Sequence, residues 1–74
     1  MVYNFTAEII RDNEVNQYIG IVPNLPGAHT QAKTLDELQI NLQEVILLCL
    51  QEMTEEEKAE LPKFIGTQNI SVAV

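Results

Sequence analysis

The sequence predicts a single α+β domain in which three antiparallel strands and a final strand form a sheet, with a long helix packed on one face. Two observations support this prediction. Segments near both ends of the chain alternate between apolar and polar residues, which is typical of half-buried strands. Between them, apolar residues recur every three or four positions over about 19 residues, the pattern of an amphipathic helix. The expected order is β-β-β-α-α-β, and no linker divides residues 1–74.

The first two strands are expected to form a hairpin. Residues 3–9 alternate with a period of two, and the polar residues 11–14 predict a turn. The apolar positions of this first strand are Tyr3, Phe5, Ala7 and Ile9. Residues 18–22 predict a second strand rich in β-branched side chains. Gly20 within that strand indicates a bulge or a close backbone contact.

A rigid corner, with the sequence Val-Pro-Asn-Leu-Pro-Gly, follows the second strand. Pro23 ends the strand because it has a fixed φ and no N–H. Pro26 and Gly27 fit the two central positions of a type II turn, the second of which needs a positive φ. Leu25 is expected to fill the space under the corner. A third strand over residues 28–33 follows, so we interpret Pro23, Pro26 and Gly27 as structural turn residues.

Two capped helices are expected after the third strand. Thr34-Leu35-Asp36-Glu37 has the form of a capping box and predicts the start of the long helix. The expected core stripe of that helix consists of Leu35, Leu38, Leu42, Val45, Ile46, Cys49 and Met53. Thr54 precedes three glutamates and predicts a second cap, with a short helix that ends before Pro62. Alternation returns in residues 69–74, which predicts the final strand.

The net charge of −7 lies wholly in one segment of the chain. Residues 34–60 contain eight acidic residues and one basic residue, and the other three acids are balanced by three bases. Because such a segment repels phosphate, direct binding of nucleic acid is disfavoured. The acidic face suits a basic protein partner. The alternative interpretation is a solvated helix surface that charge keeps soluble.

The size of the domain and its cysteine content limit how it can be stabilised and in which compartment it is expected. The domain has 74 residues and one cysteine, so no internal disulfide supports its small core, and association with partners or with itself is expected. We expect a homodimer or a higher oligomer. The amino-terminal residues do not have the form of a signal peptide, and the longest apolar run, residues 45–50, is too short to span a bilayer. A cytoplasmic location is therefore expected.

Candidates for catalysis, and for binding a metal or a cofactor, are few. His29 is the only histidine and is interpreted as a structural or surface residue. Cys49 falls on the core stripe, where it acts as a small apolar residue. Capping and the helix dipole explain Asp36 and Glu37. Metal-dependent phosphodiester chemistry needs several converging acids, and only Glu8 lies within a predicted strand. We therefore expect no enzymatic activity and no catalytic, metal or cofactor site.

Two apolar surfaces are candidates for binding a partner. On a helical wheel, Ile40 and Leu47 point roughly 160° away from the core stripe, and Leu48 also lies off it. With the neighbouring acids they predict a contact patch, although single exposed apolar residues are common. The residues expected at this patch are Glu37, Ile40, Glu44, Leu47 and Glu52.

The second candidate surface is the free edge of the final strand. An exposed edge would otherwise template aggregation, and pairing with its symmetry mate would give a closed two-fold contact. The residues expected to form the oligomer contact at this edge are Ile70, Val72 and Val74.

Three motifs occur together in order and spacing: an aromatic strand at residues 18–21, the corner at residues 22–27, and the cap at residues 34–38. Together with His29-Thr30 and residues 41–46, they resemble the HicB family of type II antitoxins. The resemblance covers nearly the whole chain. It implies a degenerate ribonuclease H-like fold without the catalytic acids. It also implies that the chain binds a small, basic HicA-type toxin, an mRNA-cleaving protein, and covers its active site.

The sequence departs from the family pattern at two places. Ala32-Lys33 stands where the family usually has Gly-Asp or Gly-Glu before the capping threonine. Many members also continue into a DNA-binding module, which we do not expect here because the sequence ends at Val74. Our first hypothesis is an antitoxin or a solitary relative. The second is a self-assembling structural or regulatory module without a toxin, and the third is an enzyme on a ribonuclease H-like scaffold.

Overall fold

The computed structural model describes residues 3–63 and 65–74 of the chain, and within them it shows an α+β fold. Three strands are followed by two helices. These elements are β1 (Glu8–Asp12), β2 (Gln17–Ile21), β3 (His29–Ala32), α1 (Leu35–Gln51) and α2 (Glu55–Ala59). None of the described helices is long and apolar enough to cross a membrane.

The three strands form an antiparallel sheet in the order β1-β2-β3. The predicted hairpin between the first two strands is confirmed, but its first strand begins later than residue 3. The register pairs Glu8 with Ile21, so continuing it would place Thr6 opposite Pro23. Proline has no N–H to donate, and pairing stops there. At the other end of the hairpin, Asp12 pairs with Gln17, so the turn is residues 13–16 and not 11–14.

One face of the sheet is covered by α1 and the other is open. The helix packs on β3 and β2. Gly20 and Ala32 are buried on the covered face, whereas Ile10 and Ile21 are exposed on the open one. A Cβ atom at Gly20 would lie 3.0 Å from both Cδ atoms of Leu42. The close backbone contact expected at this glycine is therefore confirmed, and it allows the helix to approach the sheet.

The buried core is small and lies between β2, β3, the corner and α1. It consists of Val22, Leu25, Ala28, Ala32, Leu38 and Leu42. Phe5, Ala7 and Tyr18 pack against it from the β1–β2 hairpin and the residues before it. Most of the predicted helix stripe takes part in this core, because Leu38 and Leu42 belong to it and four further stripe residues pack against it, namely Val45, Ile46, Cys49 and Met53.

Leu35 was expected on the core stripe but its side chain is 53% exposed. It is the first residue of α1. Because the Cα–Cβ bonds of a helix tilt toward its amino terminus, this side chain projects beyond the end of the packed surface. The predicted N-cap is confirmed, since the Oγ1 atom of Thr34 accepts the N–H of Glu37 at 3.1 Å, but the return bond from the Thr34 N–H to the Glu37 carboxylate that would complete a capping box is not formed.

The predicted final strand is not formed. Residues 65–74 pair with no strand among the described residues and are exposed throughout. Ile70 and Val72 are each 76% exposed, in spite of their alternating pattern. Alternation makes a segment suitable for a sheet, but a strand exists only when a neighbouring edge satisfies its backbone groups.

Candidate protein-binding surfaces

The corner at residues 22–28 is held by its own backbone. The N–H of Ala28 donates to the carbonyl of Leu25 at 3.1 Å, closing the turn whose second central residue, Gly27, has a φ of 83°. The N–H of Val22 donates to the carbonyl of Ala28 at 2.9 Å. Leu25 is 1% exposed and fills the space beneath. The predicted type II turn and its apolar plug are confirmed, and the corner is structural.

We call the exposed side of α1 that carries Glu37, Ile40, Glu44 and Leu47 the outer helix face. Ile40 is 56% exposed and Leu47 is 55% exposed, so the prediction that they lie away from the core is confirmed. Seven residues separate them, about 10.5 Å along the helix axis. The acids Glu37 and Glu44 lie beside them and are also exposed. The result is an aliphatic pair bordered by carboxylates.

Glu52 lies further around the same helix and does not join the outer helix face, whereas Leu48 lies at its margin. At 100° per residue, Leu48 projects about 20° from Glu37 and about 40° from Glu44, while Glu52 projects about 140° from Leu47. Leu48 is 59% exposed, and Glu52 is exposed where α1 ends. The structure therefore brings together four of the five residues predicted for the patch.

The acids of α2 extend the negative surface. Lys58 lies 3.4 Å from Glu55 in an exposed ion pair, so the one base within residues 34–60 already faces a carboxylate. The backbone N–H of Thr54 donates to the Glu57 carboxylate at 2.9 Å. This bond, assisted by the Thr54 side chain, lowers the pKa of Glu57 below its ordinary value of 4.5. The helix start thus stabilises the charged form of Glu57.

A groove separates α1 from β1 and the residues that precede it. It has a volume of about 620 Å³, and we call it the β1–α1 groove. Apolar side chains dominate its lining: Tyr3, Phe5, Ile9, Ile46, Leu47 and Leu50. The rings of Tyr3 and Phe5 stack at its rim, with centroids 6.3 Å apart. The groove exists because α1 packs on β3 and β2, which leaves the covered side of β1 without a helix above it.

The groove is not indicated by the sequence pattern. The alternation of Tyr3, Phe5, Ala7 and Ile9 correctly indicates that these residues share the side of the sheet that faces α1. That signal says nothing about how far the helix reaches across the sheet. Ile9 is consequently 52% exposed at the groove and not buried as expected.

The open face of the sheet is a second surface that the sequence reasoning missed. Ile10 pairs with Ile19 across the β1–β2 hairpin, and Ile21 lies one pleat further on the same face. Ile10 is 53% and Ile21 is 41% exposed. One feature of the sequence indicates this surface: Ile10 is apolar at a position where the alternation of the first strand calls for a polar residue.

The residues considered for chemistry do not come together. His29 is exposed on β3 opposite Ile21, and Cys49 is half-buried against the core. Glu8 lies in β1 as predicted, and Asp12 ends the same strand on the same face, where the sequence placed it in a turn. In residues 3–63 and 65–74, no three histidine, cysteine, aspartate or glutamate side chains form a group that could hold a metal ion.

The described elements define a small α+β domain with a three-stranded antiparallel sheet, one long acidic helix and exposed apolar surfaces beside it. Three relatives share its sequence over most of their length. The chain is 43% identical over 68 residues to a UPF0150 protein of Thermotoga maritima, covering 92% of this chain and 88% of that protein. The chain belongs to the UPF0150 family.

The other two relatives have similar identity. A UPF0150 protein of Synechocystis is 44% identical over 64 residues, which covers 86% of this chain and 88% of the relative. A UPF0150 protein of Archaeoglobus fulgidus is 44% identical over 66 residues, which covers 89% of this chain and 91% of the relative. No family model and no solved structure matches the chain.

Proposed function

We propose that this protein is an antitoxin of the HicB type, or a solitary relative of that family, and acts in the cytoplasm by stoichiometric binding and not by catalysis. Its partner is a small, basic HicA-type toxin that cleaves mRNA, whose active site it covers. The proposal rests on the motifs at residues 18–46 that resemble the HicB family. The observation that carries it in the structure is the outer helix face, where two exposed aliphatics stand among carboxylates.

The two kinds of side chain on the outer helix face have separate roles in this proposal. A toxin that binds RNA presents a basic surface, and the carboxylates of α1 and α2 attract it over a Debye length of about 10 Å at moderate salt. Charge at an exposed rim contributes speed of encounter more than lasting affinity. Ile40 and Leu47 supply apolar area that is buried on contact, and this area slows dissociation.

Association kinetics with the toxin encoded beside this gene test the proposal. The change of Glu37, Glu44 and Glu52 together to Gln is expected to slow association and to weaken its dependence on salt. Leu47→Asp is expected to hasten dissociation by about tenfold, equivalent to about 1.4 kcal/mol, with little change in association. Val15→Asp is the matched control, since Val15 is also 55% exposed but lies in the β1–β2 turn and not on α1.

The control for folding is the melting temperature of each variant, because Glu37 also follows the cap of α1. If the association rate is indifferent to both salt and the triple change, the acidic segment is only a solvated surface. If Val15→Asp hastens dissociation as much as Leu47→Asp, the outer helix face is not the contact. Absence of a small basic reading frame beside the gene, or failure of its product to co-purify, would contradict the toxin partner itself.

A second candidate function is a self-assembling structural or regulatory module that has no toxin partner. The exposed alternating residues 69–74 favour it, since they have the composition of a strand but pair with none of the strands in residues 3–63. Under either function we propose a homodimer or a higher oligomer. The two functions differ in whether co-purification yields a second, basic protein or only copies of this chain.

A further inference from the structure

The segment of residues 65–74, which we call the extended segment, stands away from the body of the protein. The radius of gyration is 14.2 Å, whereas a compact chain of this length would have roughly 11 Å. Ile65 is 97% exposed, and Ile70, Val72 and Val74 are all highly exposed. Near its start, Ile65 and Gly66 lie beside Glu8 and the corner, as do Pro62 and Lys63 before it, so the segment leaves the body at the beginning of β1.

The extended segment has the side-chain pattern of a strand with one apolar face. Ile70, Val72 and Val74 fall on one side of an extended chain, and the small residues Ser71 and Ala73 fall on the other. A strand that pairs with this segment must have backbone N–H and C=O groups that no other strand occupies. It must also have an apolar surface on one of its two faces only.

The edge of β1 has both properties. Within the described part of the chain β1 pairs with β2 alone, so its outer backbone groups are available to another strand. The β1–α1 groove opens on the covered side of this edge, lined by Ile9, Leu47 and the stacked Tyr3 and Phe5 rings. The open side of β1 carries Ile10 between the carboxylates of Glu8 and Asp12.

We propose that residues 69–74 of one copy add a strand to the β1 edge of a second copy and fill its β1–α1 groove. Ile70, Val72 and Val74 enter the groove side, and Ser71 and Ala73 face the open side. The second copy returns the same contact, which closes a two-fold dimer. This site does not depend on a toxin partner.

A second copy is the occupant that the structure favours. The body of the same chain leaves these side chains in solvent, so they are accessible to another molecule. Exchange of strands satisfies two needs at once, because it pairs an exposed edge and enlarges a core that holds only six buried apolar residues in the part of the chain that the structure describes.

Two pairs of matched substitutions in the full chain test this site by sedimentation equilibrium. Val72→Pro removes a backbone donor from the incoming strand, whereas Val72→Thr keeps both the donor and the β-branched shape. Ile9→Asp places a charge in the groove. Ile10→Asp places the same charge on the same strand, at nearly equal exposure of 53% against 52%, but on the opposite face.

We expect the wild type, Val72→Thr and Ile10→Asp to be dimers. Val72→Pro and Ile9→Asp are expected to raise the dimer dissociation constant at least tenfold, while far-ultraviolet circular dichroism shows that the monomers remain folded. Should either Asp variant unfold, Ile9→Ala with Ile10→Ala repeats the comparison. Amide hydrogen exchange of residues 69–74 should be slow in the dimer and fast in Val72→Pro.

Three results would overturn the proposal. A wild type that is monomeric at high micromolar concentration, with residues 69–74 protected from exchange, means that the segment pairs with its own β1. Dissociation by Val72→Pro but not by Ile9→Asp means that two segments pair with each other. Equal loss of dimer in Ile9→Asp and Ile10→Asp means that the groove has no specific role.

Discussion

Leu25→Ala tests whether the corner stabilises the fold through the side chain beneath it. Leu25 is 1% exposed and belongs to the same buried cluster as Val22, Ala28 and Leu38. Truncating a buried leucine removes its transfer free energy and leaves a cavity, at a cost of about 2–5 kcal/mol. The neighbours are a turn and a helix fixed by hydrogen bonds, so the site cannot collapse freely, and we expect about 3 kcal/mol.

That loss is large for this protein, because a core of this size supplies roughly 3–5 kcal/mol of net stability. Urea denaturation followed by circular dichroism measures it, with a lower midpoint and an unchanged slope expected. Leu25→Met keeps the volume and should cost less than about 1.5 kcal/mol. Leu48→Ala is the exposed control, since Leu48 is 59% exposed, and should change stability by at most about 0.5 kcal/mol. A loss at Leu25→Ala no larger than that of the control would refute the reasoning.

Three further substitutions probe other parts of the fold. Gly27→Ala should cost about 1–2 kcal/mol because φ at this residue is +83°; Gly66→Ala, at a glycine that also has open space around it, should be nearly neutral in the same denaturation assay. Gly20→Val should cost about 1–3 kcal/mol by overpacking, since even a Cβ there lies 3.0 Å from α1, and equal stability would mean that the helix can move away. Glu57→Gln should lower stability at neutral pH, because the folded-state pKa of Glu57 is depressed by its bond from Thr54. That contribution is fully present above about pH 4.5 and is lost as pH falls through the lower folded-state pKa, so melting curves of the two proteins should converge in acid.

The parts of the fold that depend on neighbouring residues were predictable from the sequence. Pro26 and Gly27 form the expected turn because their backbone preferences admit few others. Thr34 and Thr54 cap the helices because the side-chain oxygen of each accepts a backbone N–H of the first helical turn that has no partner within the helix. The outer positions of Ile40 and Leu47 followed from helical periodicity alone.

The parts that depend on distant partners were not predictable in the same way. The first strand loses residues 3–7 because the register brings Pro23 opposite Thr6, and no local pattern states a register. Residues 69–74 alternate as a strand should, yet alternation cannot name the edge that a strand will join. The β1–α1 groove depends on where α1 lies across the sheet, which follows from the packing of Gly20 against Leu42.

The sequential order of the sheet has a consequence for the rate of folding. β1 pairs with β2 and β2 with β3, and α1 packs on the two strands that immediately precede it. The elements that pack together are therefore neighbours along the chain, so the loops between them are short and cost little entropy, and the body of the chain should form quickly. Any pairing between copies needs two molecules to meet. Refolding should thus begin with a phase whose rate is independent of protein concentration. It should end with a phase whose rate increases with protein concentration.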